Sequence, residues 1–298
     1  MAKVRYDEFS MFHENAAEWA LPYGAAPHVE RLHLEVAPGR RLSALRWGAT
    51  APELVLLHGG AQNAHTYDTV ALALRRPLVA IDLPGHGHSD GAPGAMSDVP
   101  GHARDVVAAL GALDIERVPV VGMSLGGLVA LAIAALAPDL VDRLGMIDVT
   151  PGLTSEKSGH ITAFVNGPKT FSSLDELVAR TVAHNPSRSE SSLRRGVLHN
   201  AVQLDDETWM WRHQRFDPPS DARSLDPAAM WDQLSGVRVP VLLVRAMGPG
   251  SVVDDQDEAE FRRRQPSASI VQVADSGHSV QGDQPLVLAD VLDRFLDF

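Results

Sequence analysis

Apolar runs recur along the chain in two distinct patterns. Around the turn Pro38-Gly39, apolar and polar residues alternate, which predicts an antiparallel pair of strands over Val29–Val36 and Arg41–Trp47. The later runs are nearly uninterrupted, as is typical of strands that a parallel sheet buries on both faces. These later predicted strands are Leu54–Leu57, Leu78–Ile81, Val118–Val121, Leu144–Ile147, Val241–Val244 and Ser269–Val273.

Helical patterns fill the intervals between these runs. The predicted helices are Ala64–Leu74, Pro100–Leu113, Leu125–Leu136, Asp257–Gln265 and Pro285–Phe295. Strands that alternate with helices are joined by crossover connections, which place helices on both faces of the sheet. The sequence therefore predicts an α/β fold with an eight-stranded, mostly parallel sheet.

One long segment, Thr150–Val237, interrupts the alternation between two predicted strands. It is polar and helix-leaning, and it contains Trp209, Trp211 and Trp231, three of the five tryptophans of the chain. A long insertion at this place is typical of a cap over the carboxyl edge of the sheet, although a set of ordinary peripheral helices is the alternative. We therefore predict a core of residues 1–149 and 238–298, and a helical cap of residues 150–237.

Composition narrows the class of protein. The chain has 298 residues, a net charge of −12 and no run of Lys and Arg, which disfavours nucleic acid or an anionic membrane as a partner. The absence of cysteine excludes disulfides and thiolate chemistry. The chain begins without the apolar core of a signal peptide and has no membrane-length apolar run, so we expect a cytoplasmic protein. A homo-oligomer is left open.

The motif Gly122-Met123-Ser124-Leu125-Gly126 lies between a predicted buried strand and a predicted helix. A serine on such a sharp turn needs glycines beside it, because side chains there would collide with neighbouring elements. The turn would present the Ser124 hydroxyl at the sheet edge, where the helix N-terminus favours developing negative charge. Ser124 is therefore the predicted nucleophile.

A second glycine-containing turn, His58-Gly59-Gly60, follows the predicted strand Leu54–Leu57. Two glycines let the backbone approach a substrate oxygen closely, so we expect the amides of Gly60 and Leu125 to form an oxyanion hole. His58 is expected to hold this loop rather than to act as a base. Gln62 and His65 follow closely and are candidates for either the pocket wall or ordinary helix contacts.

These motifs resemble those of the α/β-hydrolase family. The resemblance rests on His58-Gly59-Gly60, Asp82–Ser89, Gly122–Gly127 and Gly277-His278, which appear in the family's order along the sheet-forming parts of the chain. That order places the catalytic histidine last, which implies that His278 is the general base. The spacing His86-x-His88 also suits a metal site, but no further ligands converge on it in the sequence, so no metal and no cofactor are predicted.

The third catalytic residue is less obvious, because the family usually carries its acid just after the strand Val241–Val244. The loop there begins Met-Gly-Pro-Gly-Ser, while Asp254 and Asp255 are better explained as acids at a helix start. Asp148 lies at the end of the preceding predicted strand, Leu144–Ile147. An aspartate at the end of a buried strand is costly to bury unless it is paired. Its placement is similar to that in haloalkane dehalogenases and fungal zearalenone lactonases. Asp148 is the predicted acid, with Asp254, Asp255 and a turn-capping role for Asp148 as alternatives.

Together these residues predict a serine hydrolase that cleaves a fairly apolar carboxylic ester or lactone through an acyl-enzyme, without a cofactor. The serine argues against dehalogenase and epoxide hydrolase chemistry, because those members of the family use an aspartate at this turn. Hydrolysis of a C–C bond, perhydrolysis and a non-catalytic ligand receptor remain as alternatives. The residues expected to contact the substrate are Met123, Trp209, Trp211 and His213.

Overall fold

The structure is a computed structural model that describes residues 4, 6–91, 98–213 and 226–297. Its strands are β1 (Val29–Ala37), β2 (Arg40–Trp47), β3 (Val55–Leu57), β4 (Leu78–Ile81), β5 (Val118–Met123), β6 (Val141–Ile147), β7 (Thr170–Phe171), β8 (Ala201–Gln203), β9 (Trp209–Trp211), β10 (Val241–Ala246) and β11 (Ser269–Val273). Its α-helices are α1 (Phe12–Glu18), α2 (Asp68–Leu74), α3 (Val99–Gly111), α4 (Leu125–Leu136), α5 (Gly159–Val165), α6 (Leu174–His184), α7 (Glu190–Asn200), α8 (Pro227–Gly236), α9 (Asp255–Arg264), α10 (Val280–Asp283) and α11 (Pro285–Asp297).

Eight strands form one sheet in the order β1-β2-β4-β3-β5-β6-β10-β11. β1 pairs antiparallel with β2, and β2 pairs antiparallel with β4, whereas the remaining neighbours are parallel. The predicted eight-stranded, mostly parallel sheet is therefore confirmed. The predicted helix Ala64–Leu74 divides into a 3₁₀ turn over Ala64–Tyr67 and the α-helix α2.

Two apolar layers cover the sheet. One face packs against α3, α4 and α8, and the other face packs against α1, α2 and α11. The central strands β3 and β4 are buried along their whole length, as their uninterrupted apolar composition predicts. Burial of the middle strands between two helical layers gives the strand ends at the carboxyl edge a rigid support.

The pairing of β5 with β6 fixes the neighbourhood of the predicted nucleophile. Met123 lies opposite Ile147 in this parallel pair, so Ser124 and Asp148 follow at the same edge of adjacent strands. β10 pairs with the other side of β6, and β11 pairs with β10. The loops after these four strands therefore meet at one edge of the sheet.

The segment between β6 and β10 contains both helices and strands. Its helices α5, α6 and α7 accompany a small antiparallel sheet in the order β7-β9-β8, which the helix-leaning composition did not predict. α8 packs against α4 and α9, and Trp231 belongs to the main core beside Phe261. α8 therefore forms part of the core layer, although it lies within the segment 150–237 that the sequence predicts as a cap.

The N-terminal segment fastens this candidate cap to the core. Arg195 of α7 is buried, and its Nε donates a hydrogen bond of 2.6 Å to Asn15 of α1. The Arg195 guanidinium also pairs with Glu18, which accepts a hydrogen bond from the Ser189 hydroxyl.

In the part of the chain that the structure describes, no helix has the length and apolar character needed to cross a membrane.

Candidate active site

Ser124 lies on a strained turn between β5 and α4. Its backbone has φ 51° and ψ −119°, a left-handed conformation that costs a non-glycine residue free energy and persists only where surrounding contacts enforce it. A Cβ at Gly122 would collide with the backbone of Gly126, and a Cβ at Gly126 would collide with the carbonyl of Leu57. The two predicted glycines are therefore required by close backbone contacts, as the motif indicates.

The predicted oxyanion loop approaches this turn closely. A Cβ built on Gly59 would lie 2.5 Å from the Met123 sulfur and 3.4 Å from the Ser124 Cβ. Gly60 follows, and Ala61 then adopts a positive φ of 61°, which turns the chain into the 3₁₀ turn. Leu125 is the first residue of α4, where a backbone amide lacks a partner within its own helix. Gly60 and Leu125 both line the cavity that contains Ser124.

Gln62 connects this loop to the loop that carries His278. The Gln62 Oε1 accepts hydrogen bonds from the Gly59 amide at 3.2 Å and from the Gln281 Nε2 at 3.1 Å. Its Nε2 donates to the Ser279 hydroxyl at 3.3 Å. Gln62 therefore links the predicted oxyanion loop to the loop that carries His278, two segments that lie more than 200 residues apart in sequence.

His58 holds the same loop from inside, as expected. The Leu83 amide donates a hydrogen bond of 2.9 Å to its Nε2, so the proton resides on Nδ1, which donates to the Gly59 carbonyl at 2.7 Å. Complete burial disfavours the charged imidazole and lowers the pKa of His58 to about 4. With both ring nitrogens occupied, His58 is a neutral structural residue.

His278 and Asp148 form a buried pair at the carboxyl edge. The His278 Nδ1 donates a hydrogen bond of 2.8 Å to Asp148 Oδ2, across 130 residues of sequence. The Asp148 side chain is fully buried, whereas 11% of the His278 side chain is exposed toward the cavity. A carboxylate in this position fixes the histidine tautomer and leaves Nε2 able to accept a proton.

Three further donors converge on the Asp148 carboxylate from the last residue of β10 and from the loop that follows it. Oδ1 accepts hydrogen bonds from the Ala246 amide at 3.0 Å and the Ser251 hydroxyl at 2.7 Å. Oδ2 accepts a hydrogen bond from the Val252 amide at 3.2 Å. The loop that lacks the expected acid therefore binds the acid supplied by β6. The neighbouring turn is capped by Thr150, whose hydroxyl accepts from the Gly152 amide, so Asp148 is not needed for that role.

Asp254 and Asp255 have other partners, as a helix start predicts. Asp254 is the N-cap of α9 in a reciprocal capping box with Asp257. Asp254 also pairs with Lys157 at 2.8 Å, which is the main cause of the lowered pKa of its carboxyl. Asp255 is exposed and pairs with the Arg245 guanidinium at 2.7 Å. The geometry thus brings Asp148, and neither of these alternatives, to His278.

A cavity of about 1120 Å³ contains Ser124 and His278. Of the residues expected to contact the substrate, Met123, Trp211 and His213 line it, and so do Gln62 and His65. Trp209 does not belong to the lining; it packs into the apolar cluster between the small sheet and α6. The substrate contact that the sequence predicts for Trp209 stays a prediction, and in this structure its side chain is buried in the apolar cluster beside the cavity.

Two groups of side chains contain the residue types that bind metal ions. His86 and His88 lie in a tight loop, where burial lowers the pKa of both imidazoles. A convergent group elsewhere, which the sequence did not indicate, consists of His65, Asp68 and His199 in the cavity wall.

The geometry of this second group does not suit one ion. The rings of His65 and His199 stack with centroids 3.8 Å apart. Two imidazoles on one tetrahedral ion, with metal–nitrogen distances of about 2.1 Å, hold their centroids about 5 Å apart. His65 instead donates to Asp68 at 2.9 Å and lies 3.2 Å from Glu8, and these carboxylates outweigh its burial and raise its pKa to about 9. As arranged, the group is a hydrogen-bonded ion cluster.

The model of the Alpha/beta hydrolase family matches residues 54–291, and the chain belongs to this family. Esterase Rv0045c of Mycobacterium tuberculosis is 41% identical over 98% of this chain and 96% of its own length. A solved structure of that esterase superposes with a TM-score of 0.86 at 39% identity, covering 99% of this chain and 100% of the other.

More distant relatives share the family. The sn-1-specific diacylglycerol lipase ABHD11 of Mus musculus is 28% identical over 83% of this chain and 82% of its own. The 3-hydroxybutyrate-oligomer hydrolase of Cupriavidus necator is 28% identical over 84% of this chain and 90% of its own. Because a protein named as an esterase matches nearly the whole length of this chain, the chain is a carboxylic ester hydrolase of the α/β-hydrolase family.

Proposed function

We propose that Ser124, His278 and Asp148 form the catalytic triad of this hydrolase and that catalysis proceeds through an acyl-enzyme. The observation that carries the proposal is the hydrogen bond of 2.8 Å between His278 Nδ1 and the buried Asp148, in the cavity that also contains the strained Ser124. A histidine oriented by a carboxylate beside a serine on such a turn is an arrangement suited to acyl transfer. A ligand receptor has no need of it.

In the first step, His278 Nε2 takes the proton of Ser124 while the Oγ attacks the ester carbonyl. The amides of Gly60 and Leu125 donate to the oxyanion of the tetrahedral intermediate. The imidazolium then returns the proton to the departing alcohol, and Ser124 carries the acyl group. Water, deprotonated by His278, attacks this ester, and release of the carboxylic acid restores the serine. Asp148 stabilises the imidazolium in both steps.

The proposed substrate is a fairly apolar ester of a small molecule. Leu128, Ile161, Phe164, Val165 and Val252 are among the cavity-lining residues, and they suit an acyl chain or an aryl group. The lipase and oligomer hydrolase named above act on acyclic esters by their names, which favours an acyclic ester here. A volume of about 1120 Å³ also accommodates a lactone, including a macrolactone, which the placement of the acid after β6 supports.

The experiment is a panel of p-nitrophenyl esters, simple lactones and aryl macrolactones, assayed with the wild type and Ser124→Ala. We expect turnover of acyclic esters of medium chain length, and loss of that turnover in Ser124→Ala. Exclusive turnover of the lactones would move the substrate class to lactones. Turnover that survives Ser124→Ala would contradict the proposed mechanism.

A further inference from the structure

The loop after β10 contacts the acid through one side chain, that of Ser251. Its hydroxyl lies 2.7 Å from Asp148 Oδ1, compared with 3.4 Å from the Val253 carbonyl. A hydroxyl carries a single proton, so the carboxylate receives it and the Val253 carbonyl does not. The Val253 amide in turn approaches the Ser251 oxygen at 3.3 Å. These contacts hold the Ser251 hydroxyl in a single orientation, with its proton directed at Asp148.

The same loop is fixed to the segment that carries His278. The Gly248 amide donates a hydrogen bond of 2.7 Å to the carbonyl of Ser276, two residues before His278. A Cβ at Gly248 would lie 2.6 Å from that oxygen, and Gly250 has a φ of +86°, so both positions favour glycine. The loop therefore spans the acid and the base and sets their relative position.

Asp148 depends on such support. Its backbone has a φ of 45°, a conformation that persists only where neighbouring groups enforce it. Its side chain is fully buried, and its carboxylate is satisfied by two backbone amides, the Ser251 hydroxyl and His278. Both amides belong to the backbone, so Ser251 is the one residue of this loop whose side chain donates to the carboxylate.

We propose that Ser251 is a positioning residue that acts through Asp148. Its hydroxyl holds the carboxylate in the rotamer that faces His278 Nδ1, and so supports formation of the imidazolium in the transition state. The inference rests on the proposed function, because Ser251 affects catalysis only through Asp148, a member of the proposed triad. In many members of the family, the loop after this strand, β10, supplies the acid. In this chain the same loop supplies a hydroxyl, which holds an acid that follows the neighbouring strand.

The test compares Ser251→Thr with Ser251→Val, which have nearly the same shape and differ in the hydroxyl. Hydrogen bonds to charged groups are the stronger class, so we expect kcat of Ser251→Val to fall roughly 10- to 100-fold with KM little changed. Ser251→Thr is expected to stay within about threefold of the wild type. Equal kcat for the two variants, whether both high or both low, would overturn the inference.

A double-mutant cycle separates this role from a general effect on the loop. If Ser251 acts through Asp148, Ser251→Val loses its effect on kcat in an Asp148→Asn background. Full additivity would indicate a structural role and overturn the inference. Thermal unfolding checks that the variants fold, and Ser251→Ala replaces Ser251→Val if the branched residue does not. Ser124→Ala is assayed in parallel: if it retains turnover, the proposed function fails, whatever Ser251 shows.

Discussion

Replacement of Asp148 by asparagine should abolish most activity while leaving the fold intact. Every group that approaches this carboxylate is a donor: Ala246, Ser251, Val252 and His278. An asparagine amide must therefore direct its NH₂ at two donors, whichever way it is turned. If the NH₂ takes the place of Oδ2, it donates to His278 Nδ1 and so favours the opposite tautomer from the one that catalysis needs. Turned toward Oδ1, it leaves the buried Ala246 amide without an acceptor.

The magnitude follows from the lost charge. An imidazolium and a carboxylate with charge centres about 4 Å apart attract by about 4 kcal/mol at an effective dielectric constant of 20. Each 1.4 kcal/mol of transition-state stabilisation is about a factor of ten in rate, so kcat of Asp148→Asn should fall about a thousandfold. KM should change little, because Asp148 is buried behind His278 and faces the substrate through it alone.

The assay is hydrolysis of a p-nitrophenyl ester under saturating conditions, with Asp254→Asn and Asp255→Asn as matched controls. Asparagine is as good an N-cap as aspartate, so Asp254→Asn should keep activity and lose only the partly exposed ion pair with Lys157, which contributes about 1 kcal/mol or less. Asp255→Asn removes an exposed ion pair with Arg245 and should change kcat by less than about threefold. Retention of more than a tenth of wild-type kcat by Asp148→Asn, or a comparable large loss in either control, would refute this role of Asp148.

Three further predictions concern the surroundings of the triad. Gln62→Leu should lower kcat roughly tenfold with little change in the melting temperature, because the link between the oxyanion and histidine loops is lost; an unchanged kcat would contradict this role. Gly126→Ala should destabilise the protein by about 2 kcal/mol or more in urea unfolding, since its Cβ meets backbone, whereas Gly111→Ala, which meets nothing within 4 Å, should not. The pKa of His65 is raised to about 9, so its stabilising contribution, about 3 kcal/mol at most, is present below pH 6.5 and lost as the pH rises through 9. Urea unfolding at pH 6 and pH 9.5 should show a smaller drop for His65→Gln than for the wild type, and equal drops would contradict this.

The parts of the site that the sequence predicts are those whose geometry is local. The turn around Ser124 needs its glycines within four residues, so the motif itself encodes the close contacts that the structure shows. Asp148 was also predictable, because an aspartate at the end of a buried strand requires a partner. The sheet is also predicted locally, because a strand that is buried on both faces has an uninterrupted run of apolar residues in the sequence.

The parts that the sequence does not predict depend on contacts between distant segments. Ser251 lies 103 residues from Asp148, and nothing in its neighbourhood distinguishes it from an ordinary loop serine. The strands of the small sheet are two or three residues long, too short for an alternating pattern to emerge. The burial of Trp209 in the apolar cluster with Phe171 and Leu177 likewise depends on tertiary packing, which the composition of the segment does not encode.

The most direct test of the central claim is labelling with a fluorophosphonate probe, followed by intact-mass analysis and peptide mapping. A serine activated by His278 and Asp148 should form one covalent adduct, on the peptide that contains Ser124, and Ser124→Ala should form none. His278→Ala should label far more slowly, because the proton of Ser124 then has no acceptor. An adduct on another residue, or no adduct on a protein that hydrolyses esters, would contradict the account.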